Sequence, residues 1–238
     1  MSVTPDDLSP RACIVVPTEA APARLAQLGL TIEILATAVA VGDSRRKSKT
    51  LAQYPRNYPG IVAWAETLAE LRRKLIQLRV GWDSNHFSNY EIVYLLEKSV
   101  SIAVAGGDKN TGIEGVNHPR LARKRGPMTT DRVEKNLTNG LTNGQFALDY
   151  GPQFEPREKK KSDRPTDFGC QTWFLVVHAD KEEVRIELSL ASGIDKEGLV
   201  ASWIERIMIP SLPVSGAVLP IDPDQDDDDE DSPFVTRT

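Results

Sequence analysis

Cysteine is nearly missing from this 238-residue chain. Cys13 and Cys170 are the only two, which makes no disulfide framework and fits a reducing cytoplasm. Histidine is equally scarce: His86, His118 and His178 stand apart from one another, and neither cysteine has a Cys or His at ligand spacing. No metal-ligand set is assigned on that pattern. The only place that suggests a small cluster is His178, two residues before Asp180. No apolar run approaches the roughly 18 to 20 residues of a membrane span. The first seven residues are acidic and carry Pro5, unlike a signal peptide. There is no Gly-x-Ser-x-Gly elbow, no helix-turn-helix, zinc-finger or RNP signature, and no repeat of 20 to 50 residues.

What the chain does contain is ordinary for a globular protein: 40% hydrophobic and 26% charged residues, with 16 glycines and 16 prolines. That excludes collagen, a coiled-coil rod and wholesale disorder. The net charge of −5 is unevenly spread. From residue 222 onward eight acids face one base, Arg237, for −7, so residues 1–221 carry about +2. Residues 43–135 hold 17 Lys and Arg against 10 Asp and Glu, or +7. A mildly basic body therefore carries an acidic C-terminal tail. Such a tail serves as a solubilising end, or competes with nucleic acid for the body's own cations, because closely spaced carboxylates imitate phosphate charge density.

Periodicity sets the elements. Residues 12–16 form a short apolar run, and residues 19–28 read as a helix capped by Thr18 and closed by Gly29. Residues 31–41 have helical spacing with Gly42 as the stop, and residues 43–58 read as a linker loop. Ile61, Trp64, Leu68, Leu71, Leu75 and Leu78 mark a long amphipathic helix over 60–80. Residues 82–89 read as a polar turn, and 90–96 with 99–105 as a hairpin. A helix is expected over 130–137. Two Asn-Gly pairs at 139–140 and 143–144 predict tight turns, and 145–150 a short strand. Residues 172–178 and 184–190 form a second hairpin with clean alternation, and 199–208 has helical spacing ended by Pro210. The order predicts an α+β fold: mixed helices with two antiparallel β-hairpins forming a small sheet and a disordered acidic tail. The expected organisation is a loose arm at 1–17, a helical and hairpin half with basic loops at 18–150, and a mobile basic linker at 151–169. A hairpin and helix at 170–220, packed on the same core, and the tail at 221–238 complete it.

Three constellations bear on chemistry. Asp180, Glu187 and Ser189 have a restriction-nuclease-like spacing, with Glu187 and Ser189 on one strand face. Converging carboxylates would hold Mg²⁺ to activate water. The lysine of that motif is replaced by Ser189, and a solvated strand face or cross-strand ion pair accounts for the pattern more simply. Gly107 and Gly112 have the glycine separation of a phosphate loop, but Ile113-Glu114 stands where Lys-Ser/Thr is required, so a tight strand-exit turn is the simpler reading. Basic clusters occur at Arg45, Arg46, Lys47 and Lys49, at Arg120, Arg123, Lys124 and Arg125, and at Lys159, Lys160 and Lys161. If they converge, they offer a nucleic-acid surface whose affinity depends on salt and not on sequence. Asn136-Leu137-Thr138 matches a glycosylation sequon, which has no meaning without secretion.

Several strings resemble an uncharacterised family of bacterial proteins from genomic islands and mobile elements. They are Tyr58-Pro-Gly-Ile-Val-Ala-Trp-Ala-Glu-Thr-Leu68, Gly81-Trp82, Ile102-Ala-Val-Ala-Gly-Gly-Asp-Lys-Asn-Thr-Gly112, Arg185-Ile-Glu-Leu-Ser-Leu190 and Trp203-Ile-Glu-Arg-Ile207. The resemblance covers most of residues 25–210. It implies a bacterial cytoplasmic setting and association with DNA-handling or phage-defence machinery, and it assigns no residue a role. The function expected from these readings is a non-enzymatic accessory protein with a protein partner and nucleic acid at its basic loops. It needs no cofactor and no membrane. The alternative is a divergent Mg²⁺-dependent nuclease using Asp180 and Glu187.

Overall fold

The computed structural model describes residues 13–49, 53–86, 90–115, 117–142 (backbone only from 138) and 169–213. The expected N-terminal arm before Cys13, the strand at 145–150, the linker with Lys159, Lys160 and Lys161, and the acidic tail lie outside these residues. Seven strands form a single mixed sheet: β1 (Ile14–Val16), β2 (Trp82–Asn85), β3 (Ile92–Leu95), β4 (Val100–Gly106), β5 (Gln171–Ala179), β6 (Glu183–Ile194) and β7 (Val200–Pro213). Their order is β1-β7-β6-β5-β4-β3-β2. β4 runs parallel to β5 and β1 parallel to β7; every other neighbour is antiparallel. The fold is α+β as expected, but two hairpins and a small sheet understate it. The hairpins are joined through the parallel β4–β5 pair into one continuous sheet.

Alternation along the strands gives the sheet two buried faces. Trp173 and Leu175 of β5, Ile186 and Leu188 of β6, and Ile207 and Ile209 of β7 pack under three helices: α1 (Ala21–Gln27), α2 (Ile32–Lys47) and α3 (Tyr58–Gln77). Leu25, Leu35, Leu68, Leu71 and Leu75 are the helical side of this core. Arg24 fastens α1 to β7 by a fork onto Glu205, with contacts of 2.5 and 2.8 Å. On the other face Phe174, Val176, Ala103, Ala105 and Trp203 pack beneath Val133 of α4 (Pro127–Thr142) and beneath Leu121.

Four expectations need correction. α2 does not stop at Gly42 but continues to Lys47, so the start of the supposed linker is helical. A Cβ at Gly42 would lie 2.0 Å from Thr67 Oγ1 and 2.6 Å from the Ala63 carbonyl, so the glycine lets α2 and α3 touch. Residues 82–85 are an edge strand and not part of a turn. α4 runs through Asn139-Gly140, where a tight turn is predicted; packing on the sheet overrides turn propensity. Of the expected helix at 199–208, residues 200–208 are strand, and β7 carries a bulge that hides this in the sequence. Leu190 pairs with Glu205 and Ala191 with Trp203, leaving Ile204 as an extra residue. The bulge switches the buried face between Trp203 and Ile207 and so imitates helical spacing.

Asn136, noted in the sequence only as a sequon, docks α4. It is fully buried; its Nδ2 donates to the carbonyls of Thr172 and Ala191 at 3.0 Å each, and its Oδ1 accepts from the Thr172 N–H at 2.7 Å. One side chain thus joins a helix to β5 and β6. Asn136→Ala leaves buried backbone groups unpaired and is expected to destabilise the protein by about 2 to 3 kcal/mol, read from the midpoint of a denaturant titration.

Candidate functional site

β4 and β5 end side by side at Gly106 and Ala179 because they are parallel. In open sheets the crevice beyond such carboxyl ends is the usual place for a ligand. Here it is a cleft of about 730 Å³, within the range of small-molecule sites. α2 supplies Val39, Asp43 and Arg46, one helical stripe; α3 supplies Gly60, Ala63, Trp64 and Thr67. The strand ends supply Val104, Val177, Ala179 and Val184 as an apolar floor, together with His178, Asp180 and Arg185. Gly107, Asp108, Lys109 and Ala122 close the remaining side.

The charges in the cleft are mostly committed. Asp43 binds Arg46 at 2.5 Å and Lys47 at 2.7 Å. Asp108 accepts from the N–H groups of Asn110 and Arg120, at 3.0 and 3.1 Å. Asp180 accepts from the N–H groups of Glu182 and Glu183 at 2.9 Å each and from Arg185 at 3.2 Å. These backbone hydrogen bonds, with Arg185 and His178 adding to them, hold the Asp180 carboxyl below its ordinary range. His178 Nδ1 lies 3.1 Å from the Gly107 carbonyl, which can only accept. Nδ1 therefore carries a proton, and in the neutral ring Nε2 is left as an acceptor. Lys109 is exposed and has no carboxylate partner among the described residues.

The wall carrying Lys109 is held from beneath by a buried ion pair. Glu187 and Arg206 are both inaccessible to solvent and meet at 2.6 and 3.1 Å across β6 and β7. Ser189 Oγ donates to Glu187 at 2.6 Å, and the Gly112 N–H donates at 2.8 Å. Arg206 also donates to the Ile113 carbonyl at 3.1 Å. The pair thus ties the loop after β4 to the sheet. Cys13 lies close by; burial pushes its thiol up to about 11, with Arg206 opposing and Glu187 and Glu205 adding to the shift.

The nuclease constellation is therefore divided. Glu187 and Ser189 do share a face, as the alternation predicts, but the carboxylate is saturated by Arg206, Ser189 and Gly112. Asp180 sits at the β5–β6 turn with a separate set of partners. Among the described residues no three His, Cys, Asp or Glu side chains are grouped to hold a metal ion. Of the basic residues, Arg46 lines the cleft and Arg45 is exposed; Lys49 lies 5.7 Å from the Tyr54 ring, which stacks on Tyr58 at 4.9 Å. Arg120 is bound to Asp195 and, at 2.7 Å, to Glu197. Arg123 and Lys124 are exposed beside the cleft-lining Ala122. Arg125 is half-buried, and burial, with Arg123 adding, pulls its pKa down. Sequence reasoning missed Trp64, His178 as a cleft residue, and Arg206.

Among the described residues no single helix is long and apolar enough to cross a membrane. Compared with protein-family models, with curated proteins and with solved structures, the chain matches none. Glu187→Leu alone buries an unpaired guanidinium and is expected to cost about 3 to 5 kcal/mol, whereas Glu187→Leu with Arg206→Met recovers most of that loss; paired denaturant titrations of the single and double variants check it.

Proposed function

We propose that this chain is a non-enzymatic accessory protein that binds nucleic acid beside the nucleic-acid-handling machinery of a bacterial mobile or phage-defence locus, using the cleft at the ends of β4 and β5 as its contact surface. One observation carries the reading. Two basic segments more than seventy residues apart in sequence border the same cleft, through Arg46 on one side and Ala122, next to Arg123 and Lys124, on the other. Lys109 lies on the same side as Ala122. Trp64 lines the cleft, and outside the lining Lys49 lies over the Tyr54 ring, which stacks on Tyr58. That combination suits a single strand, whose bases stack while its phosphates meet Lys and Arg. The saturated Glu187 argues against the Mg²⁺-dependent alternative.

The acidic stretch from Asp222 to Asp231 belongs to the same proposal as a competitor. β7 ends at Pro213, paired with Glu183, two residues from Arg185 in the cleft. Asp222 is nine residues further on, a reach of at most about 30 Å. Its carboxylates can therefore contend with phosphates for the same cations.

A labelled single-stranded oligonucleotide followed by fluorescence anisotropy tests this. With about four phosphate contacts, affinity is expected to fall about 50-fold between 50 and 200 mM salt. Arg123→Glu with Lys124→Glu is expected to weaken it by at least about ten-fold, and replacing Asp226 to Asp229 with asparagine to strengthen it. Absent or salt-insensitive binding overturns the proposal.

A further inference from the structure

We propose that the cleft receives one unpaired nucleotide, its base lodged between the Trp64 indole and the apolar floor and its phosphate on Lys109 and Arg46. This rests on the nucleic-acid reading above and names the part of the ligand that the cleft itself takes. The cleft is too large and too apolar to serve inorganic phosphate: Val39, Ala63, Val104, Val177, Ala179 and Val184 would face nothing. A flat, weakly polar body fits that floor, and Trp64 lines it while remaining 38% exposed. Gly60 and Ala63, the small residues of α3 before Trp64, keep this wall open; a Cβ at Gly60 would meet nothing within 4 Å.

The polar lining also fits a base better than it fits a simple anion or cation. Asp43, Asp108 and Asp180 balance Arg46, Lys109 and Arg185, so the interior has no net formal charge. A base presents both donors and acceptors without charge, and a lining with carboxylate oxygens, guanidinium N–H groups and the Nε2 of His178 answers both kinds. The cation of the lining without a carboxylate partner among the described residues is Lys109, which is exposed and suited to a phosphate. Beyond it stand Arg123 and Lys124, which would meet the phosphates of neighbouring nucleotides and not those of a free mononucleotide.

The other three tryptophans, Trp82, Trp173 and Trp203, are at most 5% exposed, so acrylamide quenching of intrinsic fluorescence reports mainly on Trp64. The full-length protein is titrated with a nucleoside 5′-monophosphate and, separately, with oligo(dT), and quenching is measured at each point. Both ligands are expected to protect Trp64. Trp64→Ala is expected to weaken both about 10- to 100-fold, with Trp64→Phe largely restoring them. Lys109→Glu should weaken both, and Arg123→Glu with Lys124→Glu only the oligonucleotide. Salt-dependent oligonucleotide binding that leaves Trp64 equally open to acrylamide overturns the cleft assignment and leaves nucleic-acid binding through the exposed cations standing. Protection by the mononucleotide without oligonucleotide binding does the reverse, and protection by neither overturns both.

Discussion

A carboxylate and a guanidinium with no access to water organise one side of this molecule. Burying Glu187 and Arg206 carries a desolvation cost that is offset only when the remaining hydrogen-bonding capacity is also used. Ser189, the Gly112 N–H and the Ile113 carbonyl use much of it. The requirement works in both directions. The loop after β4 completes the pair, and the pair fixes the loop. Because Gly107, Asp108 and Lys109 are the start of that loop, a polar interaction under the sheet sets one wall of the cleft above its edge.

The opposite wall is set by close packing. Gly42 lets α2 rest against Ala63 and Thr67 of α3, which aligns the stripe Val39, Asp43 and Arg46 with Gly60, Ala63 and Trp64. The floor follows from the parallel pairing of β4 and β5, whose register brings Gly106 level with Val177. Three unrelated constraints therefore converge on one crevice: an ion pair, a glycine contact and a strand direction. None of them is local in sequence.

That is why the elements were more legible than the site. α3 announced itself through six apolar residues at helical spacing, and β6 through strict alternation. β7 did not, since its bulge at Ile204 moved Trp203 and Ile207 to opposite faces and produced a helix-like pattern. That one misreading hid Arg206, the partner of Glu187, nineteen residues away on the neighbouring strand. With β7 taken as a helix, Glu187 reads as a solvated strand face or a cross-strand ion pair without its true partner, and in the alternative as a carboxylate for metal. Gly42 and Asn136 failed for a similar reason: each was read through local propensity, as a helix stop and a sequon, whereas each is used for a contact between elements. β1 and β2 are three and four residues long and exist by pairing at the sheet edges, so they carried little periodicity of their own.

On the proposed reading, the distribution of charge separates two properties that a nucleic-acid binder needs. A uniformly basic cleft would hold phosphate anywhere along it, giving affinity without a defined pose. Here the lining as a whole carries no net formal charge and each acid is held by a neighbouring N–H or cation, while the exposed cations without a carboxylate partner among the described residues are Lys109 in the lining and Arg123 and Lys124 beside it. Under that proposal, long-range attraction would act on the backbone of a strand before anything enters, and the mixed lining would act only on what fits inside. Salt weakens the first and has little hold on the second, because screening falls on exposed charges more than on enclosed ones. The same separation explains how an acidic segment could compete at the rim without filling the cleft: carboxylates match the outer cations, but they offer nothing to Trp64 or to the valine floor.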